Sequence, residues 1–330
     1  MISAFNSPND LTSFLKLDGP NIFVTHASYE YSRALKIASL NWEPVKFTQS
    51  IIISTIDSLN EHQKYKECHD ELIKELTKSC ISEPIQIRSN RPDLIKMTQS
   101  IHALLEPILN LEQCTIIIDA SVFPKDRLWT VIDYFKRIPA NHRLVVMYTE
   151  PDKYDSELHT DGWLSKGVKR IIDLPGFNGH QDANKESLLI LVVGHEQERM
   201  QITLKNKEPD KIVLIGQGLQ QHNVISSLLP TEIINQLGYD YRHIVDTAFS
   251  YSIGSRDFLG IRDAIRTVTA NFVSTHNIMI ASYGTKIQSV GALLACRENR
   301  ALQALYAEPQ VYNRDDYSKG AGSSWMLEIQ

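Results

Sequence analysis

Four short stretches of this chain recur in its second half, in the same order. The pairs are residues 28–33 with 194–199, 41–46 with 206–211, Lys125 with Lys286, and 148–154 with 306–312. The separation between the partners falls steadily along the chain, from 166 to 165, 161 and 158 positions. Chance similarity does not keep both order and spacing. The sequence therefore predicts an internal duplication, with two domains of one fold.

Short apolar segments alternate with amphipathic helical segments in both halves. Buried strands are predicted at 22–24 and 116–118 in the first half, and at 188–193 and 278–281 in the second. Strands that alternate with helices form a parallel sheet with right-handed crossovers. We therefore predict an α/β fold, with two tandem Rossmann-like doubly wound parallel-sheet domains related by internal duplication.

The domain limits follow from the segments between these strands. Residues 175–182 are rich in Gly, Pro, Asn and Asp, which is typical of a linker. We predict a first Rossmann-like repeat at 1–175, a linker at 176–187 and a second repeat at 188–330.

Three smaller predictions concern segments outside the main pattern. Helices are predicted near residues 11–15 and at 224–237. Residues 319–325 are predicted to form a mobile or ligand-capping loop, because they are rich in Gly and Ser.

The composition excludes several classes of protein. Hydrophobic residues make up 42% and charged residues 22%, as in ordinary globular proteins. No signal peptide or membrane span is predicted, and the four cysteines lack CxxC spacing, so we expect a cytoplasmic protein without a membrane partner. Residues 1–180 carry 20 basic and 23 acidic side chains, and residues 181–330 carry 14 and 16. This balance argues against general nucleic-acid binding.

The repeated polar stretches indicate where a ligand would bind. In a doubly wound sheet of order 3-2-1-4-5, ligands bind where the first and fourth strands end. A small-residue turn with a lysine, such as 282–286, can hold an anion at the start of the following helix. The predicted ligand-binding residues are Ser28, Glu30, Arg33, Ser121 and Lys125 in the first half, and Gly194, His195, Glu196, Arg199, Ser282, Gly284, Thr285 and Lys286 in the second.

Structural explanations compete with these assignments. A glutamate and an arginine three residues apart at a helix start can simply form an intrahelical ion pair. The sequence contains no HExxH, CxxC, GxxxxGK[ST] or GxSxG motif, and we predict neither a metal nor a cofactor.

The polar loop after the first strand, together with a late strand that leads into Gly284-Thr285-Lys286, resembles the CARF domain. This domain is the Rossmann-like sensor associated with CRISPR systems. In that family the loops after strands one and four surround a nucleotide, and two domains pair to hold one cyclic oligonucleotide. The resemblance implies one half-site from residues 28–33 and 121–125, and another from 194–199 and 282–286.

Three functions remain open at this point. The first is a cytosolic sensor that binds a nucleotide or phosphorylated small molecule at the interface of the two halves, and acts with a protein effector in a defence system. The second is a nucleotide-processing enzyme, either a ring-nuclease-like phosphodiesterase or a ribosyl-transferring enzyme. In it, Lys286 would stabilise phosphate charge, and His195, Glu196 or Asp119 would move protons. The third is a structural subunit of an ATPase or nuclease complex.

Overall fold

The computed structural model describes residues 2–5, 10, 19–42, 46–90, 93–109, 113–138, 142–154, 163–218, 237 and 239–329. The chain forms two compact units. Unit 1 contains Met1–Thr160 and Arg314–Gln330, and unit 2 contains Asp161–Asn313. Each unit is built on its own parallel-rich sheet with helices, so the predicted fold class of two Rossmann-like α/β domains is confirmed.

The strands of unit 1 are β1 (Ile2–Phe5), β2 (Asn21–His26), β3 (Gln49–Thr55), β4 (Ile85–Ser89), β5 (Thr115–Asp119), β6 (Arg143–Thr149), β7 (Lys153–Tyr154), β14 (Ser318–Lys319) and β15 (Ser324–Ile329). Its helices are α1 (Tyr31–Ala38), α2 (Ile56–Glu61), α3 (Gln63–Ser79), α4 (Leu94–Leu109) and α5 (Lys125–Arg137). The strands of unit 2 are β8 (Ser165–Asn178), β9 (Glu186–Val192), β10 (Lys211–Gly218), β11 (Tyr251–Gly254), β12 (His276–Ser282) and β13 (Gln303–Tyr312). Its helices are α6 (Gln197–Lys207), α7 (Phe258–Phe272) and α8 (Lys286–Glu298), with short 3₁₀ helices at Tyr239–Ile244 and Thr247–Phe249.

The sheet of unit 1 has the order β1-β15-β6-β5-β2-β3-β4. Its five strands from β6 to β4 are parallel. When they are numbered in chain order, they follow each other across the sheet in the predicted order 3-2-1-4-5, read from β4 to β6. β15 lies antiparallel beside β6, and β1 lies antiparallel beside β15. All six residues of β2 are buried, as expected for a parallel strand that is covered on both faces.

The core of unit 1 fixes the position of α1. Phe23 on β2 packs against Trp42 and Phe47, with ring centroids 6.3 and 4.9 Å away, and these two rings also contact each other. The indole of Trp42 donates a hydrogen bond to the carbonyl of Ile37 at 3.1 Å. Ile37 and Ala34 on α1 are fully buried in the same cluster. This packing holds the start of α1 at the carboxyl end of β2.

The sheet of unit 2 has the order β11-β10-β9-β12-β13-β8. Its first five strands are parallel and again have the order 3-2-1-4-5, while β8 lies antiparallel to β13. Strand β11 was not predicted from the sequence. It has only four residues, and Ser252 and Gly254 interrupt any apolar pattern there.

The two sheets receive their last strand from distant parts of the chain. These strands are β15 beside β6 in unit 1 and β8 beside β13 in unit 2. Just before β15, Ser318 of β14 pairs with Tyr154 in a separate two-stranded sheet, and in unit 2 Ser165 of β8 pairs with Tyr312. Each serine begins the same sequence, Ser-Lys-Gly, at 318–320 and at 165–167. Both glycines have positive φ angles, +67° for Gly320 and +63° for Gly167.

This short match continues the series seen in the sequence. Residues 318 and 165 are 153 positions apart, after 166, 165, 161 and 158 for the earlier pairs. The chain enters unit 2 after Thr160 and returns to unit 1 after Asn313. Strand β8, at the end of the first half of the sequence, therefore lies in the sheet of unit 2, and strand β15, at the end of the second half, lies in the sheet of unit 1.

The unit limits consequently differ from the predicted domain limits. The predicted linker at 176–187 contains the end of β8 and the start of β9, and the predicted mobile loop at 319–325 overlaps β14 and β15. Both segments were predicted to be loops because they contain glycines. In the first segment, however, Gly176 and Gly179 take positive φ angles at the irregular end of the antiparallel β8–β13 pair. The helix predicted near 11–15, and the helix predicted at 224–237 except for its last residue, lie outside the described residues.

None of the helices in the described part of the chain combines the length and the hydropathy needed to cross a bilayer.

Candidate ligand-binding site at the carboxyl ends of the strands

A buried arginine connects the loops at this end of unit 1. Arg33 is the third residue of α1, is 3% exposed, and forms an ion pair with Glu30. Its Nε donates to the carbonyl of Thr149 at 3.1 Å, and its Nη2 donates to the carbonyl of Ser121 at 2.6 Å. The guanidinium carbon lies 5.6 Å from the ring centroid of Tyr148. Arg33 thus ties the loop after β2 to the ends of β5 and β6.

The same arrangement occurs in unit 2. Arg199 is the third residue of α6, is 4% exposed, and pairs with Glu196 at 2.5 Å. Its Nε donates to the carbonyl of Ala307 at 3.0 Å, and the guanidinium carbon lies 5.4 Å from the ring of Tyr306. Ala307 and Tyr306 stand 158 positions after Thr149 and Tyr148. The repeated Glu and Arg therefore join loops inside each unit.

Both arginines stay charged despite their burial. Burial alone would lower the pKa of Arg33, but the charge of Glu30 outweighs that cost, and the pKa is raised. For Arg199 the same opposition between burial and the charge of Glu196 also raises the pKa. A buried guanidinium is stable in this setting because a carboxylate and carbonyl oxygens face it.

A serine from the Ser-Lys-Gly sequence completes each cluster. The hydroxyl of Ser318 donates to Glu30, and that of Ser165 donates to Glu196. Paired tyrosines close the opposite side, with hydroxyl oxygens 3.5 Å apart in Tyr148 and Tyr154 and 3.1 Å apart in Tyr306 and Tyr312. The serines were not predicted from the sequence, although the Ser-Lys-Gly repeat marks them.

The turn after the fourth strand of unit 2 is held by hydrogen bonds within the protein. The N–H groups of Tyr283 and Gly284 donate to the carbonyl of Val192 at 2.7 and 3.1 Å. Thr285 caps α8 in a capping box with Gln288, and its hydroxyl also donates to the carbonyl of Ser255 at 2.6 Å. The N–H groups of Tyr283, Gly284 and Thr285 therefore do not form the anion cradle expected from the sequence.

The loops after the first and fourth strands of unit 2 touch directly. A Cβ atom at Gly194 would lie less than 3.0 Å from the carbonyl oxygen of Tyr283, and real Cβ atoms do not approach other atoms so closely. The hydroxyl of Tyr283 lies 2.5 Å from that of Thr203 on α6, so its side chain packs inward. Gly194 is needed for this close approach.

In unit 1 the turn after the fourth strand has a different chemistry. Ser121 donates its N–H and its hydroxyl to Asp119, and its hydroxyl accepts the N–H of Thr149 at 2.9 Å. Burial raises the pKa of Asp119 to about 7, although the hydrogen bonds from Ser121 and the charge of Arg33 partly oppose the shift. Asp119 is fully buried, so it cannot reach a substrate from this position.

A second arginine fills the interior at this end of unit 1. Arg127 on α5 is fully buried, and it donates to the carbonyls of Ser54 and Ser89 at 3.3 and 3.1 Å. Its Nη1 also lies 3.2 Å from Nε2 of His26. The equivalent residue on α8 is Gln288, which bonds the carbonyl of Ile253. Arg127 was not among the residues predicted from the sequence.

The predicted site residues therefore fall into two groups. Hydrogen bonds or ion pairs within the protein are made by Glu30, Arg33, Ser121, Glu196, Arg199, Gly284 and Thr285, as described above, and by Ser28, whose hydroxyl accepts the N–H of Glu30 at 3.2 Å. Those that are exposed or partly exposed at the ends of the strands or the starts of helices are Lys125, Gly194, His195, Ser282 and Lys286. Lys125 and Lys286 are each the first residue of the helix after the fourth strand.

Three residues, His195, Glu196 and Asp119, were predicted to move protons if the protein is an enzyme. Glu196 is engaged by Arg199 and Ser165, and Asp119 is sealed in the interior, so neither is placed to exchange protons with a ligand. His195 is exposed. In the part of the chain that the structure describes, no group of three or more His, Cys, Asp or Glu side chains could hold a metal ion.

Comparison with known proteins bears on the fold. No protein-family model and no curated protein matches the chain. Among solved structures, one match is a Type III CRISPR defence DNA nuclease activated by cyclic oligoadenylate. It has 10% sequence identity and a TM-score of 0.52, and the match covers 91% of this chain and 68% of that one. At this identity the similarity concerns the fold alone, and it agrees with the fold expected from the CARF resemblance.

Proposed function

We propose that this protein binds a nucleotide or another phosphorylated small molecule at the carboxyl ends of its parallel strands. In this proposal it acts as a sensor and passes the signal to a protein effector in a defence system. The main support is the position of Lys125 and Lys286. Each lysine is the first residue of the helix after the fourth strand, beside the point where the strand order reverses. That point is where doubly wound sheets bind ligands.

The chemistry at these positions suits a phosphate group. The N-terminus of a helix carries partial positive charge, and a lysine there adds a full charge. Both lysines are partly exposed, and the exposed His195 offers a further polar group in unit 2. The fold match supports the choice of ligands to test first, because that nuclease is activated by cyclic oligoadenylate.

The proposal includes an origin by internal duplication. It is supported by the contacts that recur in both units, in which serine, glutamate, arginine and two tyrosines occupy matching places. A duplicated chain would carry two related half-sites, one with Lys125 and one with Lys286.

The test is a thermal-shift screen of the full chain against cyclic oligoadenylates of several ring sizes, linear oligoadenylates and mononucleotides. A ligand at a hundred times its Kd adds about 2.7 kcal/mol to the free energy of unfolding. We expect the shift to be lost in Lys286→Glu and weakened in Lys125→Glu. Lys205→Glu and Lys66→Glu are matched controls, because each changes the same charge at an exposed helix position.

The outcomes separate the open functions. A shift that survives both site substitutions would place the ligand elsewhere and contradict the proposal. Chromatography of the same samples after incubation distinguishes binding from turnover, since an enzyme would convert the bound nucleotide. Absence of any shift across the panel would favour the structural-subunit function.

A further inference from the structure

A buried histidine and a buried arginine join two elements of unit 1. His26 is the last residue of β2 and is 2% exposed, and Arg127 on α5 is fully buried. Nδ1 of His26 lies 2.5 Å from the carbonyl oxygen of Ala27, and Nε2 lies 3.2 Å from Nη1 of Arg127. A carbonyl oxygen can only accept and a guanidinium can only donate, so Nδ1 carries the proton and Nε2 carries none. These contacts fix His26 as a neutral imidazole.

The contact with Arg127 leaves no place for a second proton on His26. Protonation would turn Nε2 into a donor that faces another donor, and would place two positive charges 3.2 Å apart in the interior. Arg127 also donates to the carbonyls of Ser54 and Ser89, at the ends of β3 and β4. The arginine therefore ties the first turn of α5 to three strand ends, and its bond with His26 is the one that a proton breaks.

The elements packed against this pair carry further polar and aromatic groups. The ring of Phe123, in the turn after β5, lies 5.1 Å from the ring of His26. On α3, burial raises the pKa of Tyr65, and the charge of Arg127 partly opposes the shift. Titratable or charged groups on these elements are Arg127 and Asp126 on α5, Tyr65 on α3 and Asp119 on β5.

The equivalent places in unit 2 hold residues that do not titrate. Val192 ends β9 as His26 ends β2, 166 positions earlier. Gln288 takes the place of Arg127 and bonds the carbonyl of Ile253. The same connection between strand ends and helix start is therefore made without a titratable group in unit 2, which provides a control inside the same molecule.

We propose that His26 and Arg127 form a pH-sensitive switch in unit 1. At neutral pH their hydrogen bond holds the start of α5 against the end of β2. In acid, His26 binds a proton, the bond to Arg127 breaks and the start of α5 loosens, while the start of α8 in unit 2 keeps its contacts. Because α5 begins with Lys125, the switch also regulates the ligand site of unit 1. That regulation rests on the proposed function, whereas the switch itself does not.

Hydrogen exchange of the full chain, measured by NMR from about pH 8 to about pH 5, tests the switch. In unit 1 the N–H groups of Ala27 and Leu128 each make a backbone hydrogen bond of 2.9 Å, on the two sides of the contact. In unit 2 the N–H groups of Val193 and Ser289 make the equivalent bonds, at 2.8 and 2.9 Å. After correction for intrinsic exchange, protection of the unit 1 amides should fall by up to about tenfold per pH unit below about pH 6.5, because opening takes up one proton. Protection of the unit 2 amides should stay constant.

Two variants remove the titrating group. His26→Gln keeps an acceptor for Arg127 and a donor for the carbonyl of Ala27, but it does not titrate. The double variant His26→Val, Arg127→Gln gives unit 1 the residues that unit 2 has, and it provides the test if the first variant does not fold. His276→Gln is the matched control, since His276 is also buried but its Nε2 lies 3.4 Å from the carboxylate of Glu186, which favours a proton there.

The outcomes decide the proposal in either direction. Asp119 also titrates in this range, because burial raises its pKa to about 7, but every variant keeps it and its contribution cancels in the comparison. Acid loss of protection at the unit 1 amides in the wild type and in His276→Gln, and not in the His26 variants, would establish the switch. Equal pH dependence in the wild type and the His26 variants, or a parallel loss at the unit 2 amides, would overturn it. The exchange data need no ligand, so failure of the proposed function is recognised separately, by the thermal-shift screen.

Discussion

The hydroxyl of Ser318 donates a hydrogen bond to the carboxylate of Glu30 at 2.5 Å, across 288 positions of the chain. In unit 2 the matching bond runs from Ser165 to Glu196 at 2.7 Å, across only 31 positions. The two contacts match in structure and differ in sequence separation because each half of the chain provides the last strand of the other unit. In each unit, therefore, the glutamate at the start of the helix after the first parallel strand accepts a hydrogen bond from a serine of the segment that the other half of the chain provides.

The exchange of strands predicts how the protein behaves when its chain is cut. Protease sites are inserted within residues 155–162 and between Asn313 and Arg314, and the protein is cleaved at both. We expect the C-terminal peptide to stay with the N-terminal fragment, because six residues of β15 pair with β6 and four pair with β1. Size-exclusion chromatography with mass spectrometry measures this. Release of the peptide under native conditions would contradict the assignment of β15 to unit 1.

Arg33→Ala should destabilise the protein by about 3–5 kcal/mol, because it leaves the carboxylate of Glu30 without its buried partner. Chemical denaturation measures the free energy of unfolding. Lys74→Ala is the control, since Lys74 pairs with Glu71 at the same helical spacing on the surface, where the pair contributes about 0.2–0.5 kcal/mol. Similar losses for the two variants would show that the buried pair has no special role.

Gly320→Ala should cost about 1–2 kcal/mol or more. Residue 320 has a φ of +67°, which disfavours a side chain, and a new Cβ would lie closer than 3.0 Å to the carboxylate of Asp152. Gly322→Ala is the matched control, because its φ is not positive and the nearest atom is 3.2 Å away. Thermal unfolding of both variants tests this, and equal stability of the two would count against the strained turn.

Asp119 should make stability depend on pH. Burial raises the pKa of this carboxyl from 3.8 to about 7, so the native state keeps a proton that the unfolded chain releases near pH 4. The native state then binds more protons than the unfolded state, and the free energy of unfolding falls as the pH rises from about 4 to about 7.

Asp119→Asn tests this effect. Asparagine keeps an oxygen that can accept from Ser121 but does not titrate. We expect the wild type to lose stability relative to this variant across the interval from pH 4 to 7, by a few kcal/mol on the order of the shift. Parallel pH dependence of the two proteins would show that Asp119 titrates normally.

The parts of the fold predicted correctly were those with a local signal. The apolar run of β2 and the helical pattern after it belong to neighbouring residues, so the strand–helix alternation could be inferred in both halves, although β11, the third strand of unit 2, was missed. Lys125 and Lys286 were expected in the loop after the fourth strand, and each is the first residue of the helix that follows it. Whether they bind a ligand stays a prediction.

The candidate site was harder to predict in its details. Glu30 and Arg33 were proposed to contact ligand, but the structure uses them to join the loop after β2 to Ser121 and Thr149. A polar residue in a repeated motif can be needed for binding or for packing, and the sequence pattern is the same in both cases. Burial and hydrogen-bond partners distinguish the two, and they depend on residues far away in the chain.

The amino-acid sequence alone determined the two α/β halves, because each parallel strand and its helix are encoded by adjacent residues. Only the tertiary structure decided where the last strands go. The segments that begin with Ser165 and Ser318 share the same three residues, so this sequence signal does not tell with which half each segment pairs. That choice depends on edge pairing between distant segments, together with the serine–glutamate bonds, and neither leaves a local signal in the sequence.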